Sequence, residues 1–316
     1  MPAPADALRA LVAAELREGV PPAVAAMVAE IRRRRPHGIA AILYYGSCLR
    51  RGLPTEGVLD FYVLVDDYRQ VYRRALGTWA NAVLPPNVFY AECAWGGVTL
   101  RAKYAVISLR QFTAGTSRHS LQSSLWARFS QPSRLVAARD AQAAGAVEAA
   151  LAEAVIAMVG AAVPLLPERF TAAELWQAAF QATYGAELRT EGPARAAELY
   201  AADRARYDAL TPLALAAAGI AAQQTASEQT FTVNLPPAAR RRGQGQWRLR
   251  RPLGKLLNLL RLIKGGITFS GGLDYILWKI ERHSGVHVIP SPWQRRHPLL
   301  AAPVLAWQLY RRGGFR

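Results

Sequence analysis

Asp60, the pair Gly46-Ser47 and Lys103 are the residues whose types and settings suit phosphate chemistry. Asp60 interrupts an otherwise apolar run, Val58 to Val65, that has the length of a buried strand. A carboxylate there is costly unless it is paired or bound to a metal, which makes Asp60 the first candidate ligand for a divalent cation. The alternative is an Asp at a strand end that solvent reaches. A second apolar run, Ile39 to Tyr45, stops at Gly46-Ser47, a turn that lets backbone N–H groups and a hydroxyl approach a phosphate. Lys103 is the only lysine before residue 255 in a chain that otherwise uses arginine. Its compact ammonium suits a phosphate contact, and chance use of a rare residue at a strand end is the alternative.

A sheet must position these residues. Strands are expected at Ile39–Tyr45, Val58–Val65, Val88–Cys93, Gly97–Ser108 and Leu135–Ala138. If the strand of Glu92 lies beside that of Asp60, Glu92 is a second carboxylate for the metal; otherwise it is an exposed strand residue. Asp66 is roughly 20 Å along the strand from Asp60, too far to share an ion. Helices are expected over 5–17, 22–35, 67–82, 109–128, 140–160 and 194–219, and after a capping box at Thr171 and Glu174. That last helix exits into a polar cluster holding Tyr184, Glu187, Arg189 and Glu191. Residues 222–254 read as a polar linker or surface loop. Leu256–Ile263 and Leu273–Arg282 read as helices around a glycine-rich stretch, Lys264 to Gly272, able to bind an anion. The expected fold is therefore α/β (α+β): a mixed-sheet domain over 1–165, a helical domain over 166–222, a linker over 223–254 and a basic segment over 255–316.

Residues 240–316 hold 16 Lys or Arg against Asp274 and Glu281, which is +14 of the net +17. Such a block seeks phosphate, on nucleic acid or on anionic lipid. Cys48 and Cys93 give neither a disulfide framework nor a metal spacing. The first residues lack a secretory pattern, and no apolar stretch reads as long enough to span a bilayer, so the chain is expected on the cytoplasmic side. Pro298 to Arg312 is Leu- and Trp-rich between arginine pairs, the pattern of a helix lying in a membrane interface; a helix docked on the core is the alternative.

Strand, Gly-Ser turn and strand with an embedded Asp resemble the polymerase-β-like nucleotidyltransferases. Within them the chain is similar to the mitochondrial-type phosphatidate cytidylyltransferases, the translocator assembly and maintenance family. The resemblance rests on Tyr45-Gly46-Ser47 with Leu59-Asp60-Phe61 through Asp66, on Lys103 to Ser108, on Tyr184 through Arg189 with Glu191, and on Lys264-Gly265 through Gly271. Arg128 with Gln131-Pro132 is a fifth match. Tyr62 stands where the wider superfamily has a second carboxylate. The family differs in having Asp-Asn-Pro at 66–68, Asp at 187, and no Gly266. The resemblance implies a bacterial relative that makes CDP-diacylglycerol and pyrophosphate from CTP and phosphatidate on an anionic membrane, without nucleic acid. It implies Mg²⁺ (or Mn²⁺) on Asp60, and Tyr45, Gly46, Ser47 and Arg128 on the nucleotide. Lys103 and Lys264 would neutralise phosphates, and Tyr184, Glu187, Arg189, Glu191 and Gly265 would serve the lipid phosphate. Two other readings stay open: a nucleotidyltransferase acting on RNA or another acceptor, and an inactive membrane-bound scaffold.

Overall fold

The computed structural model describes residues 3–52, 54–55, 57–72, 75–187, 193–225, 230–268, 288–296 and 298–311. Helices α1 (Pro4–Leu16) and α2 (Pro22–Arg34) precede β1 (Ile39–Tyr45), α3 (Ser47–Arg51) and β2 (Val58–Val65). Then come α4 (Tyr68–Val71), α5 (Ala75–Val83), β3 (Asn87–Trp95), β4 (Val98–Ser108), α6 (Leu109–Thr116), α7 (Ser123–Phe129) and β5 (Ser133–Ala138). The second half holds α8 (Ala141–Ala162), β6 (Arg169–Thr171), α9 (Ala172–Gly185), α10 (Pro193–Ala202), α11 (Arg204–Ala217), β7 (Gln223–Thr225) and β8 (Thr230–Thr232). It closes with α12 (Pro237–Thr268), α13 (Pro292–Arg296) and α14 (Pro298–Arg311).

The fold is mixed α/β, and all five expected strands form one sheet in the order β3-β4-β2-β1-β5. Only β2 and β4 pair in parallel; the other neighbours are antiparallel. Alternation along β2 sends Leu59, Phe61, Val63 and Val65 into a core with Met27 and Ile31 of α2. Tyr62 and Leu64 face the opposite way, into a larger core built on α8. That core runs without a break to Trp176, Phe180 and Tyr207 of α9 and α11. The capping box at Thr171 and Glu174 opens α9 as expected. A small sheet, β6-β8-β7, lies beyond.

Several expectations are corrected. The stretch over 67–82 is two helices, because Tyr72 leaves the helical region so that its ring packs on Tyr68 and Phe89. The stretch over 109–128 also breaks, at Ser117, where Arg118 turns out to pair with Glu153 of α8. Residues 223–254 are not a linker: they form β7, β8 and most of α12. Two of their glycines are packing positions. A Cβ at Gly243 would overlap Pro164, and one at Gly254 would overlap the Ala186 carbonyl. Lys264, Gly265 and Gly266 continue α12 rather than opening a loop. Among the described residues one helical stretch, Ala141–Leu165, is long and apolar enough to cross a membrane, although none was expected. Most of its apolar window is buried, and it is apolar all round because protein surrounds it. The expected helix over 273–282, together with Arg189 and Glu191, lies outside the described residues.

Candidate active site

In the sheet, Tyr45 lies opposite Asp60, and Asp60 lies opposite Lys103. Registered neighbours point to one face, so the three side chains gather where β1 ends and β2 begins, on the side of α8. Gly46 then turns the chain at φ 93°. A Cβ there would sit 2.6 Å from Asp60 Oδ2, so glycine alone lets the main chain pass this close to the carboxylate. Ser47 follows as the first residue of α3, and Arg50 lies one turn on.

Lys103 Nζ is 3.8 Å from Asp60 Oδ1. Asp60 keeps 25% of its side-chain surface exposed, enough for a ligand to touch it. Burial pushes the Asp60 carboxyl above its ordinary range, against the pull of Lys103, Arg128 and Arg50. One carboxylate thus faces three cations.

Aromatic residues hold Arg128 in place, and an amide holds Arg50. Arg128 ends α7, donates to Tyr62 Oη at 2.9 Å, and stands 5.6 Å from the centroid of the Tyr45 ring. Tyr62 is buried against Phe112 and Phe129. Two residues after Asp60 on the same face, Tyr62 thus presents a hydroxyl that orients an arginine. Arg50 donates to Gln131 Oε1 at 3.2 Å, and burial depresses its pKa. Tyr184 and Glu187 also reach this end of the sheet: Tyr184 acts electrostatically on Arg50, and Glu187 on Arg128.

α12 contributes from the other side. Arg261 donates to the Pro85 carbonyl at 2.9 Å and to Gln122 Oε1 at 2.8 Å, and it feels the charges of Arg128 and Glu187. Lys264, one turn on, donates to the Leu84 and Pro86 carbonyls. Burial, then Arg261, lower its pKa to about 8. Lys264 therefore clamps the 84–86 segment instead of crowning a glycine loop, and Gly265 lies in the last turn of the same helix.

Glu92 is not a second carboxylate beside Asp60. β4 separates its strand from β2, so two strand spacings, roughly 10 Å, intervene. Its carboxylate is 3.2 Å from Arg101 and accepts from Tyr90. Arg50 and Arg261 are the site cations that sequence reasoning passed over. Arg50 had a signal, being three residues after Ser47 at the start of a helix; Arg261 sat in a leucine run and had none.

No protein-family model matches the chain, and no curated protein does either. Among the described residues no group of three or more His, Cys, Asp or Glu side chains is placed to hold a metal ion. The donor set is one carboxylate beneath several cations. It fits Mg²⁺ as one ligand to an ion carried on substrate phosphates, because Mg²⁺ is commonly bound by one or two carboxylates plus phosphate oxygens. Chemically, the arrangement suits a polyanion whose negative charge outnumbers Asp60.

Proposed function

We propose that the chain is a nucleotidyltransferase that joins CTP to phosphatidate, giving CDP-diacylglycerol and pyrophosphate. The observation that carries this reading is the contact of the Gly46 main chain with Asp60, with Lys103, Arg128 and Arg50 around it. That is a seat for phosphates with a single position for a cation. The family and the choice of CTP rest on the sequence resemblance.

The phosphate monoester oxygen of the lipid attacks the α-phosphorus of CTP, and pyrophosphate leaves. Two polyanions must meet, so neutralising charge is the main demand on the protein. Gly46 and Ser47 hold the β- and γ-phosphates at the turn. Lys103, Arg128 and Arg50 hold the reacting phosphates, and Arg261 adds charge from α12. Asp60 would hold Mg²⁺ or Mn²⁺, which when bound supplies further neutralisation of the triphosphate. The acceptor is already an anion at neutral pH, so no general base is needed.

The surface supports a bilayer-bound acceptor. Leu249, Leu256 and Leu260 form an exposed stripe along α12, seven and four residues apart, with Leu259 beside it. Exposed Arg248, Arg251 and Lys255 flank the stripe. On α14, Val304 and Trp307 are exposed while Ala301 and Leu305 are buried. An apolar band edged with cations suits peripheral attachment to an anionic leaflet, the inner face of a membrane in our reading. The test is incorporation of labelled CTP, with Mg²⁺, into phosphatidate vesicles. Labelled CDP-diacylglycerol is expected. Label entering RNA instead would replace the acceptor, and no transfer to either would favour a non-catalytic scaffold.

A further inference from the structure

Helix α5 is amphipathic in the reverse of the usual sense. Its inward side chain is a polar one, Asn81, fully buried and donating to the Val106 carbonyl at 3.0 Å and to Tyr72 Oη at 3.1 Å. Trp79 and Val83, four residues apart on one helix face, are 65% and 63% exposed. The helix carries no charged residue. Gln111 holds its last turn from within by donating to the Ala82 carbonyl at 2.7 Å. A tryptophan left outside while an asparagine is taken in is not surplus from core packing. Single exposed apolar residues are ordinary, but a face of them that continues onto another marks a contact surface.

Such a second face adjoins it. Leu256, Leu260 and Lys264 stand four residues apart along one ridge of α12, and both leucines are exposed. The ridge ends where Lys264 donates to the carbonyl of Leu84, the residue directly after Val83. Arg261 fixes the same segment by donating to the Pro85 carbonyl. Leu260 and Val83 therefore flank one anchored joint, and the two apolar faces run on into each other. The charge around them is of one sign: α12 contains nine Lys or Arg and no acid. An anionic bilayer matches both properties, taking apolar side chains between its headgroups and cations against them. Tryptophan suits that depth, with an apolar ring and an N–H for the headgroups.

We propose that Trp79 and Val83 of α5 insert, with Leu256 and Leu260 of α12, into the interface of an anionic phospholipid bilayer as one continuous surface. This rests on the bilayer attachment proposed above and not on the reaction. A single helix lying on a membrane can roll about its own axis. A second contact off that axis stops the roll and sets which way the protein faces. α5 supplies that contact at the segment Arg261 bonds, which keeps the Arg261 edge of the phosphate seat turned toward the lipid.

The test is cosedimentation of the whole protein with vesicles of phosphatidylcholine and phosphatidylglycerol, without phosphatidate or nucleotide. Trp79→Gln with Val83→Gln should weaken binding at least about ten-fold, the scale of withdrawing two large apolar side chains from the interface. The factor should be the same at low and high salt, since apolar burial is not screened. These are surface positions, so the melting temperature should stay within about 2 °C. Trp79→Phe keeps an apolar ring and gives a readout that misfolding does not mimic: lipids brominated near the headgroup should quench the wild type's fluorescence by a larger share than the variant's. Binding of the double variant equal to the wild type's, or equal quenching of the wild type and Trp79→Phe, overturns the surface. A wild type that elutes as a dimer where the double variant is monomeric, with vesicle binding unchanged, overturns it in favour of a second copy of the chain. The reaction is judged apart, by transfer from CTP to a water-soluble acceptor. Vesicle binding lost in the double variant, with no transfer by the wild type, keeps the surface and removes the nucleotidyltransferase; transfer by a wild type that ignores vesicles does the reverse.

Discussion

Asp60 is the carboxylate on which Lys103, Arg128 and Arg50 all act, and its burial nonetheless outweighs their pull. A carboxyl pushed above its ordinary range costs stability when it is ionised at neutral pH. Asp60→Asn should therefore abolish cytidylyl transfer while leaving the fold as stable or more so, read by denaturant unfolding beside the activity assay. A lowered unfolding midpoint would mean that the cations depend on Asp60 by more than its burial costs. Ser47→Ala should cost less turnover than Lys103→Ala, since a neutral hydrogen bond is worth about half a charge-assisted one; kinetics in the reverse order would remove Lys103 from the site. At this scale the sequence was legible where chemistry and backbone coincide. Gly46 and Ser47 follow a strand end and Asp60 lies near the start of the next strand, as pattern alone predicts, and Asp60 meets both Gly46 and Lys103. Arg261 was not legible, because it reaches the site only through the packing of a helix distant in sequence.

α12 shows how composition misleads about an element. Gly243, Gly245 and Gly254 with a run of arginines read as linker, yet Gly254 is where α12 meets the exit of α9 with no room for a side chain. Gly254→Val should lift the helix from Ala186, withdraw Arg261 and Lys264 from the 84–86 carbonyls, and raise KM for CTP several-fold, an order-of-magnitude figure typical of lost positioning. Protease sensitivity of α12 in the variant, compared with the intact chain, checks the structural half. The Lys264 clamp gives a pH signature. Its pKa falls to about 8 in the folded protein, from 10.5 for an ordinary lysine, so between those values the unfolded chain binds the extra proton. Stability therefore rises with pH across that window on account of Lys264, and below pH 8 the full cost of burying its charge remains. Lys264→Met should flatten the difference in melting temperature between pH 7.5 and pH 10. A slope equal to that of the wild type would show the ammonium to be solvated.

For the molecule as a whole, two cores on opposite faces of one sheet were foreseeable from strand alternation, whereas the continuity of the larger core into α9 and α11 was not. α8 explains the gap: its apolar surface is consumed mostly by helices, α1, α6, α7, α9 and α11, and in smaller part by the sheet, which no periodicity in the sequence declares. Attachment to a bilayer belongs to this scale. Ala301 and Leu305 are buried, so deleting α14 would disturb packing as well as any membrane contact. Substituting exposed residues separates the two. Leu256→Gln with Leu260→Gln should release the protein from vesicles containing phosphatidate while leaving its melting temperature within about 2 °C, as surface changes usually do. Retained vesicle binding in cosedimentation would clear α12 of that role. High salt should weaken the intact protein's binding only in part, because the leucines are not screened. The same helix turns Leu249, Leu256 and Leu260 outward and Arg261 inward, and it is pinned to the core at Gly243, Trp247 and Gly254. A rod pinned along its length carries a pull on its outer edge to the arginine within. A chain with the proposed activity would then sense its own surface, running faster on a water-soluble acceptor when empty anionic vesicles are present than when they are absent.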